Sequence, residues 1–141
     1  MRILSVVLAT LLTTGCGDDP LETPTSSSST AVTPTTITFA GTLAVGASRF
    51  YSFTAINSGS VRVMLASVAS PTGGIPLAAT LGVGVGVPSG TGCALAQSVS
   101  AQPGLTVQLD HTITPGVHCV VVFDEGTLTT PVNFAIRFSH P

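Results

Sequence analysis

From Thr36 onward apolar and polar side chains alternate with a period of two, the spacing of strands that bury one face. Tyr51, Phe53 and Ala55 share one side of a run beginning near Arg49, with Ser52 and Thr54 on the other. Asn57-Ser58-Gly59 supplies turn residues, and Val61, Val63 and Leu65 then form a second inward row with Arg62 outward, so the two runs are expected to pair as a hairpin. Leu81, Val83, Val85 and Val87 alternate strictly with Gly82, Gly84 and Gly86. A short piece around Cys93 to Ala96 follows, then Leu105-Thr106-Val107-Gln108-Leu109. After the Pro115-Gly116 turn, Val117 to Phe123 is apolar on both faces, which places it centrally in its sheet. The last run is the most regular, with Val132, Phe134, Ile136 and Phe138 inward and Asn133, Ala135, Arg137 and Ser139 outward. No stretch of this region has a helical period. About eight short strands with turn residues between them predict an all-β fold, an antiparallel β-sandwich of jelly-roll type, over residues 36–141.

The beginning of the chain follows another rule. Arg2 precedes an apolar run from Ile3 to Leu12, and small or polar Thr13-Thr14-Gly15 leads into Cys16. That is the order of a bacterial export signal, with the cysteine placed to become the new N-terminus after cleavage. The apolar run is about half the length a membrane-spanning helix requires. Leu12-Thr13-Thr14-Gly15-Cys16 resembles the lipobox of bacterial lipoproteins, with Thr13 where Leu is commoner. The resemblance implies a signal peptide over 1–15 and a diacylglyceryl group on Cys16, often with an added N-acyl chain such as palmitate. Two or three such chains anchor far more durably than one. Gly17 stands where an Asp would mark inner-membrane retention, so an outer-membrane location is the expectation. Residues 16–35 hold mostly Ser, Thr, Pro and acidic side chains, and read as a flexible lipid-anchored linker.

Composition narrows the function. The 141 residues include four basic and six acidic side chains, for a formal net charge of −2, and no lysine. Within the sandwich region Arg49, Arg62 and Arg137 face Asp110, Asp124 and Glu125. Three scattered arginines cannot form the basic stripe that nucleic-acid binding needs, so no nucleic-acid partner is expected. With Cys16 acylated, Cys93 and Cys119 remain as a pair in an oxidising compartment, where a disulfide is the natural state. It would close a loop of about 27 residues and contribute about 3 kcal/mol.

A second resemblance covers most of residues 37–138. Phe39-Ala40-Gly41-Thr42-Leu43, then Gly46 to Ala55 with Tyr51-Ser52-Phe53, then Gly59-Ser60-Val61-Arg62-Val63-Met64-Leu65 open the region. Ile113-Thr114-Pro115-Gly116-Val117-His118-Cys119-Val120-Val121-Val122-Phe123-Asp124 closes it. This resembles the bacterial pre-peptidase C-terminal domain and its relatives. The family's acidic Asp-x-Asp-Leu strand is replaced here by Gly82-Val83-Gly84-Val85-Gly86, and His118 stands where an aromatic residue is usual. The resemblance implies a small accessory sandwich, often appended to secreted enzymes, that is not itself catalytic.

Candidate chemistry is sparse. The glycine alternation lacks the following helix of a dinucleotide fingerprint and the lysine of a P-loop, and fits instead a strand whose glycine face lies under another backbone or a bulky neighbour. Asp110 and His111 are adjacent on a strand, so they point to opposite faces and do not form a dyad. His111 and His118, with Asp124 and Glu125, are the candidate metal ligands, calcium being the best version, but three dispersed carboxylates are few for it. Carbohydrate binding usually uses exposed aromatics, whereas there is no Trp, one Tyr, and Phe mainly at inward positions. The expectation is therefore a non-catalytic envelope lipoprotein with no cofactor or metal. It would present the sandwich for structural or protein-binding roles, with a carbohydrate- or calcium-binding module as the alternative and an inhibitor or chaperone-like partner of another envelope protein as a third reading. Cys16→Ser should abolish incorporation of a clickable palmitate analogue and move the protein from the membrane to the soluble fraction. Unchanged labelling would refute acylation at Cys16.

Overall fold

The computed structural model describes residues 31–141; Cys16, the expected export signal and most of the expected linker lie outside the described residues. Eight strands follow one another: β1 Thr35–Leu43, β2 Ser48–Ala55, β3 Gly59–Ala69, β4 Leu81–Ser89, β5 Gly92–Ala101, β6 Leu109–Ile113, β7 Gly116–Phe123 and β8 Val132–His140. They form two four-stranded sheets, ordered β1-β8-β3-β6 and β2-β7-β4-β5. Antiparallel pairs β1/β8, β2/β7, β3/β6 and β4/β5 are nested, as if one long hairpin with its tip at β4–β5 had been rolled up. This is the jelly roll expected from the alternation.

The core is the meeting of the two inward faces. Leu81, Val83 and Val85 of β4 and Val120 and Val122 of β7 are fully buried, as are Val61, Val63 and Leu65 of β3 and Ile136 of β8. Burying each such side chain contributes about 1.5–3 kcal/mol against leaving it in water. β7 lies between β2 and β4, which explains why it is apolar on both faces. The inward row of β8 runs as expected through Phe138 and extends to the buried His140.

Three expectations need correction. β2 and β3 do not form a hairpin: they lie in different sheets, and Asn57 and Ser58 belong to a crossover between layers. Alternation records which face is buried, and both pairings bury the same residues. The piece at Cys93–Ala96 is the start of a ten-residue strand, whose later half turns Val99 and Ala101 to the core and leaves Ser98 and Ser100 exposed. Leu105 to Leu109 is not a strand; only Leu109 begins one, while Leu105 is 91% and Val107 52% exposed. Gly104 and Gln108 donate to the Leu65 and Val63 carbonyls of β3, and the chain leaves regular register before Leu109. Tyr51 is half-exposed although its row faces inward, because β2 is an edge strand and the ring closes the open side against Phe39 and Phe138.

The glycine row of β4 lies under its neighbours, as expected. Its outer face is covered by Phe123 over Gly82, Leu95 over Gly84 and the Ala94 backbone over Gly86. A register shift between Val85 and Gly86 lets β5 curl inward at that point. Gly86→Ala would drive its methyl group into the Ala94 carbonyl, which is backbone and cannot swing away. The expected loss is about 3 kcal/mol in chemical denaturation. Gly92→Ala, whose new methyl would meet only the Ser89 carbonyl at 3.9 Å, should stay within about 0.5 kcal/mol of wild type. Similar losses in both would refute the close approach.

Candidate functional site

Cys93 and Cys119 are joined by a disulfide, with Cα atoms 6.0 Å apart. They lie on β5 and β7, which flank β4. Strands are about 4.8 Å apart, so the outer two of three stand about 9.6 Å apart in a flat sheet. The shorter approach is possible because β5 folds over side-chain-free Gly86, which pairs with Cys119. The bridge therefore staples an edge strand to the middle of its sheet.

The Asp, Glu and His side chains are each tied into local structure. Asp110 and His111 do point to opposite faces: Asp110 accepts from Arg62 Nε at 3.1 Å, while His111 Nδ1 lies 2.9 Å from Gln97 Oε1. His118 Nε2 donates to the Thr114 carbonyl at 2.8 Å, and His140 Nδ1 lies 3.1 Å from the Pro141 carbonyl. His118 and His140 flank Phe53, with ring centroids 5.9 and 4.6 Å away. His111 and His118 line one hollow of about 210 Å³ beside Val85, Val87 and Ile113. Asp124 and Glu125 do not join them. They lie beyond the far end of β7, about 20 Å along the strand from His118.

Asp124 is a structural anchor. Its Oδ2 accepts from Gly46 N at 2.8 Å, and its Oδ1 accepts from Gly126, Thr127 and Leu128 at 2.9, 2.9 and 3.1 Å. These amides, the Gly46 bond foremost, hold the carboxyl below its ordinary value. Both oxygens are thus engaged by N–H donors, the reverse of what a calcium ligand needs. Glu125 accepts the Ser100 hydroxyl at 2.8 Å. Among the described residues, no three His, Cys, Asp or Glu side chains converge as metal ligands. The half-exposed rings of Phe50 and Tyr51 are neighbours on a strand and face opposite ways, so they offer no shared platform for a sugar.

The two outer faces differ. On the β2-β7-β4-β5 sheet, outward Val121 is only 5% exposed because it lies over the glycine row, and the face is largely covered by its own side chains. On the β1-β8-β3-β6 sheet, a groove of about 230 Å³ runs between Arg62, Met64, Arg137 and Thr36, rimmed by Leu105 and Val107. The period of two turns Arg62 and Arg137 outward; only the β3–β8 register brings them onto one surface, with Met64 opposite Arg137. Gln108 is unmarked in the sequence, yet its Oε1 accepts from Leu65 N at 2.7 Å while its Nε2 donates to the Gln102 carbonyl at 2.6 Å. A glutamine in an exposed run gives no signal that it replaces a ladder partner.

No protein-family model, curated protein or solved structure gives a significant match to the chain. The likeness to the pre-peptidase C-terminal domain accordingly rests on the sequence pattern.

Because the Asp124 carboxyl titrates below its ordinary value when folded, its ionised form favours the fold. That contribution is whole above the unfolded value near 3.8 and is lost as pH falls through the lowered folded value. Asp124→Asn places an NH₂ group against an amide donor, and should lower Tm by several degrees at neutral pH. Its Tm should then fall less than that of wild type between about pH 6 and about pH 3. Parallel losses in the two proteins would refute the anchor.

Proposed function

We propose that the chain is a non-catalytic lipoprotein of the bacterial cell envelope, anchored through Cys16 and presenting its sandwich to bind another envelope protein. The lipobox pattern supports the anchor and the export of the cysteine pair. One observation carries the non-catalytic reading: every Asp, Glu and His of the sandwich is committed to a structural contact. Asp110 holds Arg62, Asp124 gathers four amides and Glu125 holds Ser100. The three histidines are bound to Gln97 and to backbone carbonyls. General acid–base or nucleophilic catalysis needs such groups facing one reacting centre; His111 and His118 share a hollow, but no carboxylate lines it and Asp110 turns the other way to Arg62. The jelly roll belongs to the scaffolds that commonly present surfaces and edges to partners. The pre-peptidase resemblance adds an accessory rather than catalytic role.

Affinity purification of the detergent-solubilised full chain from envelopes, beside Cys16→Ser, tests the reading. One stoichiometric protein should accompany the wild type and be depleted with the soluble variant. Enrichment on insoluble polysaccharide in place of a protein would overturn it.

A further inference from the structure

We propose that the groove on the outer face of the β1-β8-β3-β6 sheet is the docking track for an extended, acidic and aliphatic segment of a partner polypeptide. This rests on the protein-binding reading and names the surface and the chemistry it takes. Charge supplies the first argument. Among the described residues the only salt bridge is Arg62–Asp110, and the residues opposite Arg137 across the ladders are Thr38 and Met64. Arg137 therefore adds a positive charge that no carboxylate among the described residues pairs with. Arg62 and Arg137 are diagonal neighbours on adjacent strands, about 7–8 Å apart. Arg62 and Asp110 remain 60% and 48% exposed at their side chains, so their pair is weak and Arg62 can share an incoming carboxylate. Planar guanidinium groups are suited to bidentate recognition of carboxylates.

Shape supplies the second. The groove holds about 230 Å³, below the 300–1,000 Å³ of small-molecule sites, which suits side chains of a larger partner. A second hollow of about 230 Å³ shares Arg62 and Ser139 with it and continues past Val32, Pro34 and Pro141. Two hollows in series, meeting at an arginine, match an extended chain that alternates an acidic residue with aliphatic ones. Apolarity supplies the third. Leu105 and Val107, both well exposed, stand with Met64 around the first hollow, held there by the Gly104 and Gln108 bonds to β3. Aliphatic side chains would cover them while the carboxylate meets the arginines. On the opposite sheet, outward Val121 and Phe123 lie over the glycines.

The test selects a displayed library of random twelve-residue peptides on the solubilised full chain, with Arg137→Gln, Leu105→Ser and Arg49→Gln as comparisons. Arg137 and Leu105 are exposed, so their replacement leaves the core intact. Selected peptides should carry an Asp or Glu flanked by aliphatic residues. They should bind Arg137→Gln about tenfold more weakly, as loss of a charge-assisted hydrogen bond predicts. Leu105→Ser should weaken them severalfold, Arg49→Gln should leave them unchanged, and added salt should loosen them. Selected peptides without acidic residues, no selection at all, or equal binding to Arg137→Gln would each overturn the proposal. So would binding of phosphatidylglycerol vesicles that Arg137→Gln abolishes and peptides do not compete, which would make the face a lipid-headgroup surface. If a stoichiometric envelope partner is recovered equally by Arg137→Gln, the groove is wrong while the binding reading stands. If no partner is recovered by any variant, the binding reading itself falls.

Discussion

The close passage of β5 over Gly86 is the contact on which this sandwich turns. β4 and β5 form the tip of the rolled hairpin, and β4 also pairs with β7 at the centre of its sheet. A side chain at Gly86 would meet backbone on one side, and backbone cannot be repacked as a rotamer can. With only hydrogen there, β5 can bulge at Ala96 opposite Val85 and Gly86, and Cys93 can reach Cys119 across an intervening strand. The same glycine row lets Phe123 and Val121 lie flat on the outside. The centre of that outer face is thereby covered by apolar side chains.

At the other end of the molecule a single carboxylate does comparable work with hydrogen bonds. Asp124 joins the β1–β2 connection, through Gly46, to the β7–β8 connection, through Gly126, Thr127 and Leu128. Its own amide donates to the Ala47 carbonyl, and Thr127 Oγ1 donates to the Thr80 carbonyl nearby. Backbone groups of three connections are thus satisfied at one exposed corner, where an unpaired donor would otherwise rely on water. In a region with three basic and three acidic residues, such use of the acids leaves Arg137 as the charge without a structural counterpart.

The aromatic side chains close the open side between β1 and β2. Phe134, Phe39, Tyr51, Phe138, Phe53 and His140 follow one another with centroid separations between 4.6 and 5.9 Å. On the opposite side the smaller Gln97–His111 pair spans β5 and β6. A Phe-rich seam on one side and a polar clasp on the other flank the core between the sheets, and the Cys93–Cys119 disulfide lies within one of them.

Residue type and spacing alone determined the strand faces, since a period of two allows one inward row per strand and Val61, Val63 and Leu65 or Val132 to Phe138 admit no other burial. They also determined that the glycine face of β4 must be covered, because a row of glycines has nothing of its own to bury, and that the two later cysteines could pair. Only the tertiary structure decided which strands neighbour one another. A strand pairs through backbone groups that are the same in every residue, so β2 finds β7 and not the adjacent β3, and no side chain announces it. For the same reason the chain could mark Arg62 and Arg137 as outward but not as neighbours, and Gln108 could not be told from a surface glutamine. Their meeting depends on the register of β8 against β3, which is set by the packing of the buried faces beneath.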